Sequence, residues 1–73
     1  MYTIIKMMDG NYRCEGQLQD ETMIWTTPNF NDAVVSMITF AKTMNNTAIK
    51  KKDITLCIVE QVVRERIVPV DHF

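Results

Sequence analysis

FNDAVVSMITFAKTMNN, residues Phe30 to Asn46, decides the fold. At about 100° per residue, Phe40, Ala33, Met44, Met37, Phe30, Ala41, Val34 and Ile38 fall within an arc of roughly 160°, and Thr39, Thr43, Ser36, Lys42 and Asn46 share the other side. This is an amphipathic helix with one face that needs a core. At its start, Asn29 with Asp32 three residues on makes a variant of the capping box, with Thr27 before Pro28, or Asn31, as rival caps. At its end, Asn45-Asn46 suits the left-handed conformation that closes a helix.

The chain on either side supplies strands for that face to pack on. Tyr2 to Met8 is apolar on both parities, with Ile4 and Met8 on one and Ile5 and Met7 on the other, the pattern of a central strand. Asp9-Gly10 is a hairpin signal, a dipeptide suited to positive φ at both turn positions. Tyr12 to Leu18 then alternates: Tyr12, Cys14, Gly16 and Leu18 form one face and Arg13, Glu15 and Gln17 the other. Gly16 within it marks a bulge or the close approach of something bulky such as the helix. After Gln19-Asp20-Glu21, Thr22 to Thr26 reads as a third strand, with Met23 and Trp25 pointing one way and Ile24 the other.

Beyond the helix and a polar connector holding Lys50-Lys51-Lys52, Ile54 to Val59 alternates as another strand. The phase breaks at Glu60, so a bend, bulge or new edge segment is expected across Glu60 to Arg66, which Ile67-Val68-Pro69-Val70 continues as an edge where proline is tolerated. The expected architecture is a single α+β domain over residues 1–73. It has two layers, an antiparallel-rich four-stranded sheet with one helix packed on one face, in the order β-β-β-α-β. The last strand is expected beside the first and parallel to it.

A chain of 73 residues buries only about 60% of the surface its unfolded form exposes, and domains of this size commonly add a disulfide, a metal or a second subunit. Eight basic and nine acidic residues give a formal net charge of −1, too little to steer the molecule toward nucleic acid or a cationic partner. The N-terminus does not read as a secretory leader, and no run approaches the roughly 20 apolar residues of a membrane span, so a cytoplasmic protein without a membrane role is expected. Cys14 and Cys57 are too few and too far apart for a zinc ribbon or a redox pair, and read as reduced core residues.

Two sets of residues stand out as candidate sites. Ile5, Met7, Met23, Trp25 and Val59, with Val62 at the margin, are placed on the sheet face the helix leaves open, a candidate interaction surface, since large apolar patches enriched in Trp and Met mark such surfaces. The alternative is that Arg64 to Phe73 folds back to cover them. Lys42 with Lys50, Lys51 and Lys52 is a candidate anion contact, against the simpler reading of solvated cations complementing the negative end of the helix dipole. Stacking aromatics or a second basic strip are not evident, so a nucleic-acid partner is not favoured. His72 lacks a recognisable nucleophile, and Asp71, His72, Cys14 and Cys57 match no ligand spacing, so no catalytic residue, cofactor or metal is assigned. The outer helix residues are mostly neutral, which suggests that a subunit or partner covers part of that face.

The strand and Asp-Gly-Asn turn of Tyr2 to Asn11, the Thr-Pro-Asn-Phe helix entry of Thr27 to Phe30 and the closing strand of Asp53 to Glu60 give the chain a layout that resembles the short uncharacterised proteins of bacteriophage and prophage accessory regions. The resemblance implies a small protein that binds and redirects a host protein or blocks a defence system, acting in the host cytoplasm. The expectation is therefore a non-enzymatic binding protein, a homodimer through its open sheet face or an edge strand, with an unidentified protein partner. A nucleic-acid or nucleotide-ligand binder using Lys50 to Lys52, and a structural accessory subunit, are the alternatives.

Overall fold

The computed structural model describes residues 1–60 and 66–70. Its elements are β1 (Tyr2–Lys6), β2 (Tyr12–Leu18), β3 (Glu21–Thr27), α1 (Phe30–Asn45), a single 3-10 turn at Lys51–Asp53, β4 (Thr55–Glu60) and β5 (Arg66–Val70). The strands form one mixed sheet in the order β3-β2-β1-β4-β5, and α1 packs on one face of it. The fold is α+β with two layers, as the sequence implies, but the sheet has five strands instead of four. The fifth arises because Arg66–Val70 returns antiparallel along β4, with Val70 opposite Leu56 and Arg66 opposite Glu60. Pro69 is admitted because β5 is an edge. The expected bend across Glu60 to Arg66 lies mostly outside the described residues, as do Val62, Asp71 and His72.

β1 is the middle strand, antiparallel to β2 and parallel to β4. Its two-sided apolar pattern is explained by that position: Ile4 is fully buried toward the helix, and Ile5 is only 2% exposed on the opposite face. The β1–β2 connection departs from expectation in detail. Gly10 alone takes positive φ, at 92°. Asp9 instead accepts the Asn11 backbone N–H through its carboxylate at 2.9 Å, and the Gly10 N–H closes on the Met7 carbonyl. The β2–β3 connection is tighter than predicted. Leu18 pairs directly with Glu21, leaving Gln19-Asp20 as a two-residue loop with Gln19 at φ 55°.

α1 begins where Asn29 caps it. The Asn29 side-chain oxygen accepts the Asp32 N–H at 2.9 Å, and its amide donates to the Asp32 carboxylate. This settles the choice among the rival caps. At the other end Asn46 adopts the left-handed conformation, and the Thr47 N–H bonds back to the Ala41 carbonyl. Ala33, Met37 and Ala41 are buried against Ile4 and Cys14 of the sheet. Two residues depart from the helical projection. Met44 is exposed near the end of the helix, and Ser36, assigned to the solvent side, is half-buried because Trp25 reaches it. Gly16 lets the helix come down on β2: a Cβ there would stand 2.5 Å from Phe40 Cε1. Asn45 then ties the helix end to the sheet, donating to the Tyr2 hydroxyl and to the Gln17 carbonyl.

Candidate protein-binding surface

The registers assign every strand residue to a face. Ile4, Cys14 and Trp25 lie beneath the helix, with Ile4 opposite Cys14 and Cys14 opposite Trp25. Ile5, Arg13, Glu15, Ile24 and Cys57 lie on the open face, since Ile5 stands opposite Arg13 and Cys57, and Glu15 opposite Ile24. The apolar set expected on one surface therefore divides. Ile5, Met7 and Val59 are on the open face. Trp25 is on the covered face, and Met23, two residues away along the same strand, shares its side.

Trp25 is held by specific contacts. Its indole Nε1 donates to Ser36 Oγ at 2.9 Å, and that hydroxyl donates to the Ala33 carbonyl one turn earlier. Its ring also packs on Phe40, with centroids 5.1 Å apart. The half-buried indole N–H thus has its partner, which is the usual requirement for placing tryptophan in a core. The two-residue loop between β2 and β3 carries this information, because loop length fixes the pairing and pairing fixes the faces. Reading Glu21 as part of the connection concealed it.

On the open face Ile5, Met7, Arg13, Val59, Arg66 and Ile67 line a shallow hollow of about 230 Å³. Ile5 forms its floor, being nearly inaccessible, while Ile67 on the rim is 56% exposed. Arg13 lies at the side of the hollow. One of its terminal nitrogens pairs with Glu15 at 2.9 Å, while its Nε is buried without an acceptor among the described residues. Ile67, Arg13 and Arg66 are the members that sequence reasoning missed. The signal for Arg13 was its place on the charged face of β2, beside the apolar outer face of β1. Arg66–Val70 forms the edge strand β5 beside this surface.

Lys42 and Lys51 stand at opposite ends of α1. The Lys51 ammonium sits 5.3 Å from the centroid of the Phe30 ring, at the first residue of α1, whereas Lys42 is in the last turn. Those two helix positions are about 18 Å apart along the axis at 1.5 Å per residue. Lys42, in that last turn, complements the negative end of the helix dipole. Lys50 contributes its backbone N–H to the Asp53 carboxylate at 2.8 Å, closing the 3-10 turn.

Cys14 and Cys57 are both free, and they lie on opposite faces of the sheet with β1 between their strands. Burial raises the pKa of each thiol. Hydrogen bonding with Ser36 and Thr27 partly offsets this at Cys14, and the Glu15 charge adds to it at Cys57. No group of three His, Cys, Asp or Glu side chains suited to a metal occurs among the described residues. No described helix is long and apolar enough to cross a membrane. Comparison with protein-family models, with curated proteins and with solved structures returns no match.

Proposed function

We propose that this chain is a small protein-binding module that acts without chemical turnover, and that its open sheet face receives an apolar side chain of a protein partner. The observation that carries this reading is the hollow over Ile5, rimmed by Met7, Val59 and Ile67 and flanked by Arg13, whose buried Nε–H has no acceptor among the described residues. Interface centres pair buried apolar anchors with a few satisfied polar groups. A partner that fills the hollow and offers a carbonyl or carboxylate to Arg13 supplies both. The layout resemblance to phage and prophage accessory proteins points to a host or defence protein as that partner.

The experiment is co-purification of the intact chain from a bacterial lysate beside an Ile67→Glu variant, followed by titration of the purified partner. Ile67 is largely exposed, so the substitution is compatible with folding. A partner that loses at least about tenfold in affinity, which is 1.4 kcal/mol, supports the hollow as the binding site. Equal binding by the two proteins removes it.

A further inference from the structure

The sheet has two edges, and they are built differently. β5 is five residues long, starts at Arg66 and contains Pro69, which has no N–H to offer. Short length, charge and proline are the devices that keep an edge from pairing with another chain. β3 has neither the short length nor the proline. It is seven residues long, ETMIWTT, its one charge is Glu21 at its first position, and it pairs without interruption along β2 from Glu21 to Thr27.

Which of its backbone groups are left unpaired among the described residues follows from the ladder. The Gln17 N–H bonds to the Met1 carbonyl, toward β1, so alternation directs the neighbouring β2 residues Gly16 and Leu18 toward β3. Their partners Met23 and Glu21, and by the same alternation Trp25 and Thr27, spend their backbone groups on β2. Thr22, Ile24 and Thr26 therefore aim N–H and C=O at the open edge. All three are exposed, and the Ile24 side chain is 53% exposed.

We propose that a second copy of this chain pairs antiparallel along β3 about a two-fold axis at Ile24, joining two sheets into one. This register alone retains all seven residues of the strand. It sets Ile24 opposite Ile24 on the open face and Thr22 opposite Thr26 beside it, and these are the residues with those unpaired backbone groups. On the helix side it sets Met23 opposite Trp25 of the second copy, a favourable sulfur–aromatic combination. Glu21 meets Thr27, so the two carboxylates stand at opposite ends of the joint, about 20 Å apart at 3.4 Å per residue. A parallel in-register pairing would bring them together.

The helix agrees with this arrangement. Ser36 and Phe40 face Trp25, so that flank of α1 looks toward the β3 side. Thr39 and Thr43 continue the flank at helical spacing, exposed and uncharged. The neutral surface noted in the sequence thus lies beside the proposed joint.

Sedimentation of the intact chain at micromolar concentration is expected to show a dimer. Ile24→Lys places two ammonium groups opposite each other at the axis and is expected to give a monomer with unchanged circular dichroism. Ile67→Lys, on the other edge strand, is expected to leave the dimer intact, which separates this interface from the hollow proposed for the protein partner. Amide exchange gives a readout free of substitution: Thr22, Ile24 and Thr26 are protected in the concentrated protein and lose that protection on dilution. A monomeric parent, a dimer unaffected by Ile24→Lys, or a dimer broken by Ile67→Lys alone would overturn the proposal.

Discussion

The two faces of the sheet carry residues of the same kinds in different settings. Each has a methionine, a cysteine and an isoleucine from β1 or its immediate vicinity. Beneath the helix, Met37, Cys14 and Ile4 are fully buried among Ala33, Trp25 and Tyr12. On the open face, Ile5 is equally hidden, but its neighbours are Arg13, Cys57 and the half-buried Met7 and Val59. One face is closed by a helix fitted to it. Among the described residues the other is covered by its own longer side chains, so stability should reside mainly in the first and recognition in the second.

The methionine pair tests that division with the largest effect. Met37→Ala removes a fully buried side chain and leaves a cavity under the helix, with an expected cost of about 2–5 kcal/mol. Met7→Ala, at the rim of the hollow, should cost under about 1 kcal/mol of stability while weakening the protein partner. Urea denaturation of both variants checks the contrast. Equal losses of stability would mean that the open face is also a structural core.

The helix-covered face was the more legible in the sequence, and the reason is physical. A stripe at 3.6-residue spacing fixes one side of a helix without reference to anything else, so α1, its Asn29 cap and its Asn46 terminus were readable within the stretch itself. Gly16 was readable as a place of close approach, and the apolar character of Tyr2 to Met8 on both parities identified the central strand. Assigning Trp25 required the phase between two strands, which rests on a single loop residue. Ser36 was misplaced for a related reason: its contact is with a residue of another element. The edge character of Ile67 to Val70 was readable, but its return as a separate fifth strand was not, because a break in alternation does not say whether a strand bends or doubles back. The hollow combines residues from β2, β4 and β5 with Ile5 and Met7, and no local pattern records such an assembly.

A smaller effect is expected where the closed face is tightest. Adding a methyl group at Gly16 places it against the Phe40 ring, and that ring has little room to yield because it also packs on Trp25 and Tyr2. Gly16→Ala should therefore destabilise by about 1–3 kcal/mol, as overpacking does. Combining it with Phe40→Leu should recover part of the loss, a non-additivity that a double-mutant cycle measures directly. Strict additivity would show that the two residues do not share that space.

The cysteine pair gives the smallest effect and separates two physical causes. Burial lifts both thiols above the ordinary value of 9.0, so the native chain holds those protons to higher pH than the unfolded one does. The unfolded state then binds fewer protons as the pH rises through about 9, so stability is unaffected below that region and declines above it. At Cys14 the raising cause is burial alone, opposed by hydrogen bonding with Ser36 and Thr27. At Cys57 the Glu15 charge adds to burial across the open face. Removing that charge with Glu15→Gln should lower the Cys57 pKa and speed its alkylation at pH 9, leaving the Cys14 rate unchanged, because the thiolate is the reacting form. Added salt should act in the same direction at Cys57, since charges on a partly solvated face are screened and desolvation is not. Mass-resolved alkylation of the two sites reads both responses. A parallel change at Cys14 would mean that the sheet does not insulate its covered face from the charges on its open one.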